Sequence, residues 1–155
     1  MPQGQLTISG DNGTEIVNLH SLLEKKRVVL FAVPGAFTKN CSKIHFPGFV
    51  NNEASFYARG IDLIACLAVN DTNVMAAWKA TFAENRILML SDADTSYSRK
   101  IELEVDEGIE GGIRCSRFAV VINDLIVENF WVDPSGVNLS RAEAVLEHIH
   151  QERSE

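Results

Sequence analysis

The stretch Arg27–Phe49, "RVVLFAVPGAFTKNCSKIHFPGF", decides how the rest of the chain is read. Its opening, Arg27–Val33, is apolar throughout after Arg27 and rich in β-branched and aromatic residues, the composition of a strand buried on both faces. The run stops at Pro34-Gly35. A segment of helical length, Cys41–Arg59, follows and closes at Gly60, a natural helix stop. Pro47 falls inside that segment and predicts a kink or a split. A buried strand thus hands over to a helix through a short turn, with one cysteine at the helix start. In open α/β sheets such turns, beyond the carboxyl ends of strands, are where ligands gather.

Outward from this stretch the alternation continues. "IDLIACLAVN" (Ile61–Asn70) reads as a second buried strand and "RILMLS" (Arg86–Ser91) as a third of the same parallel type. Between them Asp71 is placed to cap a helix carrying Val74, Met75, Trp78 and Phe82. A shorter helix is expected around Tyr97–Ile101. Upstream, the turn residues Gly10-Asp11-Asn12-Gly13 separate two β-like runs, Leu6–Ile8 and Ile16–Leu19, and a short helical stretch follows near Leu22–Lys25. Downstream, "RFAVVINDLIVENFWV" (Arg117–Val132) reads as a hairpin turning at Asn123-Asp124. Ser140 to Glu143 form a capping box that opens a C-terminal helix. Alternation followed by a hairpin implies an α/β fold, with a mixed central sheet flanked by helices on both faces. A thioredoxin-like fold satisfies this, as do other small α/β sandwiches. One domain over residues 1–155 suffices.

Bulk properties exclude several classes of function. The chain has 155 residues, with 14 Lys plus Arg against 21 Asp plus Glu, a formal charge of −7. A field of that sign disfavours nucleic acid and anionic membranes as partners, and no apolar run is long enough to span a bilayer. The N-terminal residues lack the features of a secretory or transit signal. The reading is cytoplasmic, although a chain whose targeting segment had been removed would read the same. The 3 cysteines form no CxxC pair and no zinc-type cluster with histidine, which argues against a disulfide framework and a structural metal.

Cys41 is then the residue to explain. In the first turn of a helix its sulfur faces unsatisfied N–H groups and the positive end of the dipole, which can draw a thiol pKa from about 8.5 toward 6. At neutral pH the thiolate fraction would rise roughly thirtyfold. Intrinsic nucleophilicity falls as the pKa falls, by roughly tenfold over the same interval, so the net gain is only about two- to threefold. Fast chemistry at Cys41 therefore needs other groups to stabilise charge developing in the transition state. Thr38, one helical turn before the cysteine, offers a hydroxyl on the same face. Arg117, at the start of a strand, offers a rigid fork of donors. Pro34 restricts the loop and helps to shield the site.

These residues resemble the active-site segment of the type II peroxiredoxins, the peroxiredoxin-5 class. The family pattern Pro-x-x-x-Thr-x-x-Cys is matched by Pro34, Thr38 and Cys41. "CLAVNDTNVMAAWK" (Cys66–Lys79) and "IRCSRFAVVINDLIVENFWVDPSG" (Ile113–Gly136) are similar to later segments, and Arg117 matches the family's arginine. The resemblance implies a thioredoxin-like fold and a thiol-dependent peroxidase acting on hydrogen peroxide and alkyl hydroperoxides, with no metal, haem or flavin. Cys41 would become a sulfenic acid, with Thr38 and Arg117 orienting the peroxide. Family members often form homodimers around the active-site loops, to which Phe46, Pro47 and Phe49 could add an apolar patch. Lys39-Asn40 departs from the family, which usually has proline after the threonine, and "NLSRAE" lacks the resolving cysteine that some members carry there.

Cys66 lies in an apolar run and Cys115 two residues before Arg117, on what alternation makes the same strand face. Each is a core residue by default; Cys66 is a possible resolving partner by resemblance to plant-type relatives, and Cys115 is one by its position near Arg117. The expectation is reduction of the sulfenate by an external thiol, glutathione with glutaredoxin or a thioredoxin. His45, four residues after Cys41, is expected to pack or to hydrogen-bond structurally. The competing function is a redox-sensing binding module oxidised at Cys41 without fast turnover. A thioredoxin-type disulfide oxidoreductase is disfavoured by the lack of a CxxC pair.

Overall fold

The computed structural model describes residues 1–10 and 13–154, with side chains described up to residue 149. Three consecutive strands, β3 (Arg27–Ala32), β4 (Leu63–Ala68) and β5 (Leu88–Ser91), run parallel at the centre of the sheet. The chain before them contributes a hairpin, β1 (Gln5–Gly10) and β2 (Gly13–Asn18), and a short helix α1 (Leu19–Leu23). Its Asp11-Asn12 turn lies outside the described residues. β1 pairs antiparallel with β5, placing β2 at one edge. The C-terminal hairpin joins on the other side as β8 (Arg117–Asn123) and β9 (Ile126–Asp133), with β8 antiparallel to β3. The seven-stranded order is β2-β1-β5-β4-β3-β8-β9. This is the mixed sheet expected from the alternation, and it has the thioredoxin-like arrangement.

Successive residues of β3 alternate between two cores. Val29, Phe31 and Val33 enter one, with Phe46, Phe49, Phe56, Met75, Trp78, Val145 and Ile149. Val28, Leu30 and Ala32 enter the other, with Leu19, Leu23 and Tyr97. The first layer is covered by α2 (Phe46–Ala58), α3 (Thr72–Ala80) and α6 (Ala142–Ser154), the second by α1 and α4 (Ser96–Lys100). Burial on both faces is why β3, β4 and β8 read as continuous apolar runs.

Local departures have local causes. Asn18 caps α1 by accepting from the Ser21 N–H at 3.1 Å, so the helix starts at Leu19, earlier than the expected Leu22–Lys25. The β8–β9 turn is at Asp124-Leu125, one residue later than read, and both residues have positive φ (46° and 73°), as a twist-matched two-residue hairpin requires. The break expected at Pro47 is instead a change of helical pitch, since residues 39–58 stay helical throughout. Cys41–His45 form a π-helical turn closed by the Phe46 N–H on the Cys41 carbonyl, and α2 starts beyond it. Pro47 sits in the first turn of α2, directly after the π-turn, and His45 and Phe46 before it keep right-handed helical backbone angles. The hydroxyl of Ser140, read as half of a capping box, donates to Asp133 at 2.7 Å.

One excursion was not anticipated. Residues 104–115 form β6 (Glu104–Asp106), the single turn α5 (Gly108–Gly111) and β7 (Ile113–Cys115), with β6 and β7 paired to each other in a separate ribbon. The Ser116 N–H then bonds to the Leu103 carbonyl at 2.7 Å before β8 begins. The change of partner interrupts alternation at Ser116.

Candidate active site

Arg117 is the first residue of β8, one position beyond the Ala32–Phe118 pair that joins β8 to β3. It therefore lies where β3 ends and the chain leaves for Pro34. The π-helical turn brings Cys41 to the same place. The first helical hydrogen bond runs from the Ser42 N–H to the Thr38 carbonyl at 2.9 Å. The N–H groups of residues 39–41 precede it and have no helical acceptor, leaving a partial positive charge around the sulfur.

Cys41 is fully buried, and Arg117 nearly so at 7 % exposure. One guanidinium nitrogen, Nη2, donates to Cys41 Sγ at 3.2 Å. The other, Nη1, lies 2.8 Å from His45 Nδ1, and His45 Nε2 lies 3.0 Å from the Ser140 carbonyl oxygen. These contacts fix the tautomer. A carbonyl only accepts, so Nε2 carries the proton, and Nδ1 accepts from arginine, which only donates. His45 is neutral: burial first, then the Arg117 charge, lower its pKa from 6.5 to about 3, against the raising effects of the Ser140 carbonyl and Asp133. Its ring packs against Phe31 and Phe49, with centroids 5.1 and 5.6 Å away.

The loop Pro34–Thr38 closes the site. The Ala36 N–H donates to Asn70 Oδ1 at 2.9 Å, tying the loop to the end of β4. Arg114 donates to the Pro34 carbonyl at 3.4 Å and to the Gly111 carbonyl at 2.6 Å. Gly35 gives this loop room: a Cβ there would lie 2.9 Å from the Arg114 guanidinium and 3.1 Å from the Thr38 methyl, so the arginine end would have to shift. The Thr38 hydroxyl donates back to the Gly35 carbonyl at 2.7 Å. That geometry spends its proton and leaves its lone pairs to accept. Beside Arg117 lies a cavity of about 290 Å³ that Pro34, Ser116 and Asp133 help to line.

The arrangement joins a sulfur to a fixed cation under a loop that excludes water, the combination needed to polarise a small substrate as negative charge develops on it. The comparisons with known proteins agree. The Redoxin family model matches residues 1–146. A rice (Oryza sativa subsp. japonica) protein, Peroxiredoxin-2C, is 39 % identical, over 96 % of this chain and 94 % of its own. This chain belongs to the peroxiredoxins, in their type II class. Among solved structures, reduced Prx3 of Vibrio vulnificus in complex with hydrogen peroxide superposes with a TM-score of 0.93, at 38 % identity over 96 % of this chain and 94 % of that one. Peroxiredoxin 5 of Alvinella pompejana gives 0.83 at 28 % identity, over 97 % and 94 %. This peroxiredoxin is a thiol-dependent peroxidase.

Of the residues singled out from sequence, Cys41 and Arg117 are in contact, and Pro34 and Arg117 line one cavity. Thr38 is at the rim with its hydroxyl turned to Gly35. Cys66 shares the core layer of Cys41. Burial, followed by the Cys41 sulfur, pushes its thiol pKa well above the ordinary value, with Arg117 opposing. Cys115 corrects an expectation. Because alternation breaks at Ser116, it does not share the face of Arg117 but packs with Leu30 and Phe118 in the opposite layer. Burial raises its thiol pKa to about 12. The sequence reading set His45 aside as structural and did not single out Asp133, Asn70 or Arg114. The i, i+4 spacing of His45 from Cys41 was the one available signal.

Proposed function

We propose that Cys41, as its thiolate, attacks one oxygen of hydrogen peroxide or an alkyl hydroperoxide. The S–O bond forms as the O–O bond breaks, the departing oxygen takes a proton to leave as water or alcohol, and the sulfur is left as a sulfenic acid. The supporting observation is the 3.2 Å contact from Arg117 to the Cys41 sulfur, which sets a fixed positive charge beside the atoms where charge is redistributed. Thr38, its proton committed to Gly35, would accept from the peroxide and orient it. The hydrogen peroxide in the reduced Vibrio vulnificus relative supports that substrate here.

An external thiol, glutathione with glutaredoxin or a thioredoxin, then reduces the sulfenate. The burial and raised thiol pKa values of Cys66 and Cys115, and the sheet between Cys41 and Cys115, support this choice. The proposal includes a homodimer, but not on the patch expected from Phe46, Pro47 and Phe49: Phe46 and Phe49 are fully buried in the core, and the exposed apolar residues beside the site are Phe37 and Ile44, at 57 % and 50 %.

The test is peroxide-dependent thiol consumption by wild type, Cys41→Ser, Cys66→Ser and Cys115→Ser, with mass spectrometry after one equivalent of peroxide. Loss of turnover in Cys41→Ser alone, with a sulfenate or glutathione adduct on Cys41, is expected. An intramolecular Cys41–Cys66 or Cys41–Cys115 disulfide would overturn external resolution.

A further inference from the structure

We propose that His45 is the positioning residue of the site: its neutral ring, oriented by the Ser140 carbonyl, holds the Arg117 guanidinium where it can bond the Cys41 sulfur. The inference rests on the reading of Cys41 and Arg117 given above.

Arg117 has a long flexible stem, and nothing in a single contact to sulfur fixes the plane of its guanidinium. A second contact does. Nη1 donates to His45 Nδ1 at 2.8 Å while Nη2 donates to Cys41 Sγ at 3.2 Å, so the two ends of the planar fork are both held. The acceptor is itself fixed. His45 Nε2 donates to the Ser140 carbonyl at 3.0 Å, and Phe31 and Phe49 pack against the ring. The Ser140 segment is in turn tied to the Asp133 carboxylate, which accepts from the Asn138, Leu139 and Ser140 N–H groups at 3.0, 2.9 and 2.9 Å and from the Ser140 hydroxyl at 2.7 Å. A carboxylate directly on Arg117 would have held it too, but would have cancelled the charge that the sulfur and the departing oxygen need. A neutral acceptor orients the cation and leaves its charge available. That is the physical reason for a histidine, rather than Asp or Glu, at this buried position.

The experiment compares second-order rate constants for peroxide by stopped flow, with folding checked by circular dichroism and thermal midpoint. His45→Phe keeps a ring between Phe31 and Phe49 and loses both polar edges. His45→Gln keeps an N–H for Ser140 and an oxygen for Arg117. Expected are a roughly 10- to 100-fold loss in His45→Phe, and recovery to within about threefold of wild type in His45→Gln. In an Arg117→Gln background, His45→Phe should change the rate by less than about threefold, because the ring acts through the arginine. A well-folded His45→Phe within threefold of wild type overturns the proposal. So does a His45→Gln as slow as His45→Phe, or an undiminished His45→Phe effect when Arg117 is gone. If His45→Phe does not fold, the near-isosteric pair His45→Gln and His45→Met replaces it, with Gln expected to be about tenfold faster and equal rates overturning the idea. A slow Arg117→Gln beside a fast His45→Phe removes only the positioning role. An Arg117→Gln as fast as wild type removes the active-site reading and this proposal together.

Discussion

A buried histidine between a guanidinium and a carbonyl has a thermodynamic consequence besides its geometric one. The His45 pKa is depressed from 6.5 to about 3 by burial and then by Arg117. The unfolded chain therefore binds a proton over this interval that the folded chain does not. Stability from His45 is complete above about pH 6.5 and is lost as the pH falls toward the folded value, by at most about 1.4 kcal/mol per pH unit. Asp133 acts in the same direction at lower pH. Burial pushes its carboxyl up, but the Leu139 and Ser140 N–H groups, the Ser140 hydroxyl and the Asn138 N–H outweigh it, leaving the net value below the ordinary carboxylate range. Its contribution is present above about pH 4 and is lost as the pH falls through the depressed folded value. Between about pH 6.5 and 5 carboxylates contribute little, and the difference in denaturant midpoints between wild type and His45→Gln separates His45 from the other three histidines. The pH slope there should flatten in His45→Gln by close to one proton. An unchanged slope contradicts the buried neutral assignment.

The first helical turn, which holds Cys41, is coupled to its neighbours at the next residue. The Trp78 indole donates to the Ser42 hydroxyl at 2.9 Å, and its ring packs on Phe46 with centroids 4.7 Å apart. A shift of the first helical turn on oxidation of Cys41 must therefore move the polar partner of a fully buried tryptophan. Trp78 fluorescence is expected to change with one equivalent of peroxide in wild type but not in Cys41→Ser. A signal independent of Cys41 contradicts the coupling. The elements themselves were legible where their signal was long: both buried strands flanking the helix, the Asp71 cap and the C-terminal hairpin. The 104–115 excursion was not, because strands of 3 residues around a glycine-rich turn are too short to show a period. That omission also misplaced Cys115, whose face depends on where the chain changes partners. In the site, Pro34, Thr38 and Cys41 were visible as a spaced motif, and Arg117 through the resemblance carried by Ile113–Gly136. The His45 role was not, because it depends on Ser140, far along the chain, and spacing cannot show such a contact.

For the whole molecule, the sheet separates two cores, and the Cys41 sulfur lies in one of them. Phe49 belongs to that one, stacked on Phe31 at 3.9 Å and on Phe56 at 5.6 Å. Phe49→Ala should lower stability by about 3–5 kcal/mol in denaturant unfolding. Ile126→Ser, at a site 71 % exposed on the edge strand, should stay within about 0.5 kcal/mol. Similar losses at both sites would contradict the packing described. The homodimer proposal is tested by sedimentation: Phe37→Glu should shift the protein to monomer at concentrations where wild type is dimeric, and a monomeric wild type would end it.

The most direct test is the stopped-flow rate constant of Arg117→Gln with hydrogen peroxide against that of wild type. A loss of about 100-fold or more, the usual cost of removing a donor aimed at developing negative charge, is predicted with the fold intact. A folded Arg117→Gln that reacts within about threefold of wild type would contradict the claim that the guanidinium held on Cys41 drives the chemistry.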